Sequence, residues 1–447
     1  MTNHEQECNV SVSNIKEMNK IDRIVGITQS KKFQTACGDI QEEIRKVYLE
    51  SSTPWVICFS GGKDSTALLQ LVFYALSEIP RERITKEIHV LSNDTLVENP
   101  SIVKHVNKQL EQIAICGKST LYAHSPGLFN VARVSPKSND TFWVNLIGKG
   151  YPSPNRWFRW CTDRLKIAPT SMYIENALNK NGQVIILLGT RKAESSNRAA
   201  SMNTYSNNGH LRNHTLPNAF VYAPISELSN NDVWAYLLQT PNPWGSDNMN
   251  LLALYGNACS GGECPFVIET RTQSCGKSRF GCWVCTVVDR DKSMENFIRN
   301  GEQWMAPLLD FRNWIYNIRL EAYQYVPENL KSKAKFSGFL LHTRKEMLSR
   351  LLETQRKLNM RLINDSELNI IMELFKADET DYYNEPREFT YELAKNKKLA
   401  VVSDFDISKT RRTRIGPINL GQANLVKIQN VSSSHISLTR IMYYLIE

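Results

Sequence analysis

Ser60-Gly61-Gly62-Lys63-Asp64-Ser65 stands between the apolar run Trp55 to Phe59 and a stretch, Thr66 to Leu76, whose leucines, alanines and aromatics recur at helical spacing. The arrangement reads as strand, tight turn, helix. A glycine-rich turn that opens a helix leaves backbone N–H groups unpaired beside the positive end of the helix dipole, a setting suited to phosphate or pyrophosphate. A Walker A loop fails on spacing. With Gly62-Lys63 as its terminal pair, the first glycine would fall at Ile57 and the hydroxyl residue at Asp64. The turn is a phosphate loop of another kind.

Sulfur is the second chemistry. Of ten cysteines, Cys8, Cys37, Cys58 and Cys116 are scattered, and six fall between Cys161 and Cys285. Cys282 and Cys285 have the C-x-x-C spacing that lets one tight turn present both sulfurs to a single metal or cluster. Three readings stay open at this point. An iron–sulfur cluster would use several of these thiolates; Cys264, Cys275, Cys282 and Cys285 could make a zinc site unaided; one of them, or Cys161, could carry a persulfide. Cys259 lies in a glycine-rich turn and could be inert.

These residues need a scaffold. "WVICFS", "EIHVLSND", "QVIILLGTR" and "FVYAPIS" alternate with helical stretches from Pro54 to about Leu228, which predicts an α/β fold: a parallel sheet with helices on both faces. Such sheets bind ligands at the C-terminal ends of their strands. We expect a helical lead-in over 1–50, a catalytic domain over 51–300 carrying the cysteines, and a helical region over 301–447 with the basic run Lys409 to Arg414. A capping box is expected, in part, at Ser366 to Asn369, and "QWMAPLLDFRNWIYNIRL" reads as a packed helix face. His210 and His214 are expected on a surface loop.

The net charge of +9 makes an anionic partner plausible without identifying one. Residues 147–200 hold nine Lys or Arg against three acids, with Trp157, Phe158 and Trp160 interleaved among arginines, a pattern suited to a nucleotide or single strand. The N-terminus is polar and no stretch approaches the ~18 apolar residues of a membrane span, so a cytoplasmic protein with no membrane partner is expected.

Ser60 to Ser65 resemble the S-G-G-x-D-S loop of the ATP pyrophosphatases, more closely its lysine-containing form in the phosphoadenosine-phosphosulfate reductase family. Later segments resemble the same family: "SNDTLVEN" with Asn93 and Asp94, where the usual glycine is missing; "GTRKAESSNR" with Gly189, Arg191, Glu194, Ser195 and Arg198; and "APISELSNNDVWAYL". The resemblance implies an adenine-nucleotide α-hydrolase-like (HUP-type) fold. It implies that Ser60, Gly61, Gly62, Lys63, Asp64, Ser65, Asn93, Asp94, Gly189 and Arg191 bind ATP with Mg²⁺, and that Lys63, Asp64 and Arg191 take part in catalysis.

"CTDRLKIAPT" resembles half of the C-C-x-x-R-K-x-x-P-L signature of cluster-bearing adenylyl-sulfate reductases, with Trp160 in place of the first cysteine. This implies a [4Fe–4S] cluster on Cys161, Cys275, Cys282 and Cys285, with Cys264 as alternative ligand or sulfur carrier. The long cysteine segment, with "NRWFRWCTDRLKI", resembles the DndC family of bacterial DNA phosphorothioation. That implies sulfur incorporation into the DNA backbone at the expense of ATP, with a cysteine desulfurase and DndD- and DndE-like proteins as partners. The alternatives are a sulfonucleotide reductase, which would need a later cysteine than Cys285, a tRNA thiolase, or a non-catalytic, zinc-bearing nucleic-acid-binding scaffold.

Overall fold

The computed structural model describes residues 31–194, 210–258, 281–324, 339 and 341–383. The strands are β1 Trp55–Cys58, β2 Ile88–Asn93, β3 Phe129–Val134, β4 Val184–Leu187, β5 Leu211–Asn213 and β6 Ala219–Tyr222. The longer helices are α1 Lys31–Glu50, α2 Lys63–Ser77, α3 Pro100–Cys116, α4 Ala168–Asn181, α5 Asn230–Gln239, α6 Asn248–Asn257, α7 Lys292–Arg299, α8 Ala306–Gln324, α9 Leu341–Leu358 and α10 Asp365–Tyr383. They fall into two compact units, made of the described residues within Met1–Ser92, Ser101–Ala132 and Ile174–Arg279, and within Asn93–Pro100, Arg133–Tyr173 and Phe280–Glu447. None of the described helices is long and apolar enough to cross a membrane.

The first unit carries a six-stranded, mainly parallel sheet of order β3-β2-β1-β4-β6-β5. β1 lies between β2 and β4, with Trp55 opposite both Ile88 and Ile185, and β5 closes the edge antiparallel to β6. β1, β2 and β4 are short apolar runs buried along nearly their whole length, as a strand covered on both faces must be. The strand order reverses between β1 and β4. A doubly wound sheet opens a crevice at that switch point, so the turns after β1 and β4 are where a ligand belongs. β5 was not foreseen, because Leu211 to Asn213 carry no alternating apolar pattern; His210 lies on an exposed bend immediately before it, as expected, with its Nδ1 2.9 Å from the Glu43 carboxylate.

Beneath the start of β1, the buried Tyr48 and Trp55 rings meet edge to face, with centroids 5.2 Å apart. The Lys86 ammonium lies 4.5 and 4.8 Å from those rings, is 3% exposed as a residue, and has no hydrogen-bond partner. Burial pulls its pKa down to about 8, against the opposing field of Glu50. The unfolded chain therefore holds this proton up to a higher pH than the folded one, and stability rises as pH climbs from about 8 towards 10.5. Lys86→Met should remove that slope and stabilise the protein at neutral pH by about 3 kcal/mol. Urea unfolding of both proteins across that range checks it, and parallel curves would contradict the assignment.

The second unit packs Trp143, Trp283 and Phe311 with centroids 5.7 to 6.0 Å apart, and the Trp143 indole donates to the Leu362 carbonyl at 2.8 Å. α8 buries Leu308, Phe311 and Ile315 on one face, the packed face expected of it. The capping box of α10 lies two residues earlier than expected. The Asn364 carboxamide oxygen accepts from the Glu367 amide, and the Glu367 carboxylate accepts from the Asn364 amide, both at 2.9 Å. Position 367 is the acidic one, so the reciprocal pair forms there.

Candidate functional site

In the first unit the chain turns sharply at Gly61, whose φ of +71° suits glycine. A Cβ there would lie 2.6 Å from Val106 Cγ2 on α3. Gly62 caps α2 and, having no side chain, contributes no capping oxygen of its own to the positive end of that helix. The serines shape the turn from within. Ser65 Oγ donates to the Gly62 carbonyl at 3.0 Å and accepts from the Ser60 amide at 3.2 Å, and the two hydroxyls are 3.1 Å apart.

Charge converges at the same place. The Asp64 carboxylate accepts from Lys63 Nζ at 2.6 Å and from Arg191 Nε at 2.7 Å, and Arg191 also donates to the Leu228 carbonyl at 3.2 Å. Two cations against one carboxylate leave a net positive site beside a helix N-terminus. Tyr255 on α6 was missed by sequence reasoning: its hydroxyl accepts from the Lys63 amide at 3.2 Å, and its ring packs against Trp234. A tyrosine in "LLALYGNA" carries no local signal of that contact.

Gly189 follows β4 and presses on the loop. A Cβ there would meet the Asp64 carbonyl carbon and oxygen at 2.9 Å and the Ser65 amide at 3.1 Å, all backbone atoms. Gly189→Ala must therefore displace the first turn of α2, at a stability cost of about 1–3 kcal/mol. Gly127→Ala, where nothing lies within 4 Å, is the control. Urea unfolding reads both, and equal stabilities would show that the close approach is unimportant.

In the second unit, Asn93 donates to the Lys166 carbonyl at 3.2 Å and to Thr170 Oγ1 at 3.4 Å, while its own carboxamide oxygen is buried without a partner. Asp94 binds Arg133 at 2.8 Å and accepts from the Leu96 amide at 2.9 Å. Leu96, at the position where the resembled family has glycine, adopts φ +64°. The left-handed turn is thus made by a leucine, at the cost of backbone strain.

Cys161, Cys282 and Cys285 also belong to this unit. Thr95 Oγ1 lies 3.3 Å from the Cys282 sulfur, and the Trp283 amide donates to the Val97 carbonyl. Burial pushes the Cys161 thiol up to about 12, helped by Cys282 and Cys285. Cys282 is pushed up to about 11 by burial against the field of Lys166. Among the described residues, no three His, Cys, Asp or Glu side chains converge closely enough to hold a metal ion. The donors fit sulfur ligation in kind but not in number, and Cys259, Cys264 and Cys275, like Ser195 and Arg198, lie outside the described residues. Buried Arg312 fixes the turn by donating to the carbonyls of Cys285 and Asp289, each at 2.9 Å, and of Val288.

Much of the local cationic excess is already paired. Lys149 and Arg164 share Asp140, whose carboxyl stays below its usual range because these partners outweigh its burial. Lys180 binds Glu87 and Lys192 binds Glu227. Arg159 and Lys166 remain exposed, as does Arg156, which is 4.0 Å from Asp289.

Residues 54–288 match the phosphoadenosine phosphosulfate reductase domain model. An uncharacterized protein of Methanocaldococcus jannaschii is 26% identical over 271 residues, 60% of this chain, and the chain spans 44% of that relative's length. A phosphoadenylyl-sulfate reductase from Candida auris, solved as a phosphate complex, is 14% identical over 55% of this chain and 94% of its own, with a TM-score of 0.29. A U34-tRNA thiolase from Methanococcus maripaludis, solved with its [4Fe-4S] cluster, is 13% identical over 70% of this chain and 87% of its own, also at 0.29.

Proposed function

Because the chain belongs to the phosphoadenosine phosphosulfate reductase domain family, we propose that it is an ATP pyrophosphatase-type sulfurtransferase that places sulfur in the DNA backbone, as its resemblance to the DndC family implies. The observation that carries the nucleotide half of this reading is the loop after β1. It combines a left-handed glycine, a helix N-terminus capped by glycine, and Lys63 and Arg191 held on Asp64.

Charge at this site matches charge on a polyphosphate. The α2 amides, Lys63 and Arg191 neutralise the β- and γ-phosphates, and the Asp64 carboxylate offers the oxygen donor that Mg²⁺ favours. A non-bridging oxygen of a DNA phosphate then attacks the α-phosphorus; pyrophosphate leaves, and the backbone is adenylated. The outer sulfur of a persulfide from a cysteine desulfurase attacks the activated backbone phosphorus and expels AMP, and a thiol then cleaves the S–S bond, leaving the phosphorothioate on the DNA and a disulfide on the sulfur carrier. Both displacements build charge on phosphate oxygens, so fixed cations and dipoles matter more than an acid–base pair.

The sulfur half rests on Cys161, Cys282 and Cys285. A [4Fe–4S] cluster on these three with Cys275, or Cys264 in its place, would supply sulfur-bound iron able to hold a further sulfur or to lock the segments together. Thr95 and Arg312 orient the turn that presents Cys282 and Cys285. DndD- and DndE-like proteins are the companions this reading expects.

Product analysis tests it. With DNA present, the protein should yield AMP and pyrophosphate, and Lys63→Ala should abolish both. ADP and phosphate as products would overturn the pyrophosphatase reading, and stimulation by tRNA but not DNA would replace the substrate with RNA.

A further inference from the structure

Asn155 to Trp160 form an unusual surface in the second unit. Trp157 is 85% exposed, more than any other large apolar side chain among the described residues. Its backbone is nevertheless held firmly. The Asn155 side chain accepts from the Trp157 amide at 2.8 Å and the Phe158 amide at 2.9 Å, and the Asn155 amide donates to the Phe158 carbonyl at 3.1 Å. Trp160 anchors the far end: it is buried, its indole donates to the Pro152 carbonyl at 2.8 Å, and it stacks on Phe142. A hydrophobic ring is thus held in water on a preorganised turn, with exposed Arg156 before it and exposed Arg159 two residues after it.

An exposed indole between two guanidiniums matches the chemistry of an unpaired nucleotide, a flat π-face flanked by phosphates. The acids nearby are few: exposed Asp163, and Asp289 at 4.0 Å from Arg156. A duplex hides its base faces inside the stack, so this ring finds a partner only where a base is unpaired or splayed out. Cys161 follows four residues after Trp157, which puts the turn next to one of the clustered thiols of the same unit.

We propose that Trp157, with Arg156 and Arg159, is a stacking platform for an unpaired base of the nucleic-acid substrate. The protein therefore engages its target as single-stranded or locally opened nucleic acid. This rests on the nucleic-acid part of the proposed function and adds the form in which the substrate is taken.

The test uses the full chain, a fluorescent single-stranded DNA oligonucleotide, its duplex and the matching RNA, with affinity measured across a salt series. Single strand should bind more tightly than duplex. Trp157→Ala should weaken single-strand binding roughly 5- to 150-fold, with the salt slope unchanged. Trp157→Tyr should retain most of the affinity, and circular dichroism should show the variants folded. The double variant Arg156→Gln and Arg159→Gln should reduce the salt slope by about 1.4, the share of two phosphates. Equal binding by wild type and Trp157→Ala, or a preference for duplex, would overturn the platform alone. Failure of the wild type to bind any oligonucleotide would overturn both the platform and the nucleic-acid reading beneath it. Tighter binding of RNA than DNA would keep the platform and contradict the choice of DNA.

Discussion

Arg191→Ala is expected to lower ATP turnover by about 100-fold and to destabilise the protein by about 3 kcal/mol, since removing one partner of a buried pair strands the other charge. Arg191 is only 3% exposed, and its guanidinium divides its donors between Asp64, at 2.7 Å, and the Leu228 carbonyl, at 3.2 Å. Without it, Asp64 keeps the Lys63 ammonium, already 2.6 Å away, and the site loses one of its two cations. Arg191→Lys keeps the charge but not the two-armed geometry, so it should recover stability better than turnover. Urea midpoints and AMP formation, read on the same samples, separate the two effects. A loss of stability with normal turnover per folded molecule would make Arg191 a structural residue only.

Arg312→Met is expected to cost about 3 kcal/mol although Arg312 touches no proposed substrate. The residue is 0% exposed and serves the carbonyls of Cys285, Val288 and Asp289 together with the Asn313 side chain. Methionine fills similar volume but leaves those acceptors unpaired in the interior, each at roughly 1–3 kcal/mol, relieved where water can enter. The cysteine turn should loosen as a result, so Cys282 and Cys285 should react faster with a thiol reagent. Arg350→Met is the comparison. Arg350 lies over Trp314 at 4.3 Å with an exposed side chain and pairs with Glu346, and its loss should cost well under 1 kcal/mol. Unchanged stability and thiol reactivity in Arg312→Met would refute the clamp.

The glycine-rich loop after β1 and its flanking elements were legible because local pattern decides them. The apolar run of β1, the paired glycines and the helical spacing of α2 sit within about twenty consecutive residues, and the parallel sheet follows from the repeated alternation of such pieces. The bonds by which Ser60 and Ser65 shape the loop from within were not legible in the local pattern. Long-range partners were not legible. Tyr255 reaches Lys63 from 192 positions away, and Arg312 is one arginine among aromatics whose buried fork only folding reveals.

Spacing could also mislead by a residue or two. The capping box of α10 sits at Asn364 and Glu367 because the reciprocal bond needs an acidic or amide side chain at its third position, which Asn364 finds in Glu367. The basic excess over residues 147–200 counted charges but not their partners. Asp140 and Glu87 take up Lys149, Arg164 and Lys180, leaving the exposed arginines around Trp157 as the informative part.

Oxygen tracing distinguishes attack of a DNA phosphate oxygen on ATP, followed by its replacement with sulfur, from every other fate of the nucleotide. DNA labelled with heavy oxygen at its non-bridging positions would be incubated with the protein, ATP, Mg²⁺ and sulfide, and the AMP and DNA analysed by mass spectrometry. One heavy oxygen is expected in AMP for every sulfur gained by the DNA. AMP without label, in a reaction that still consumes ATP, would contradict it.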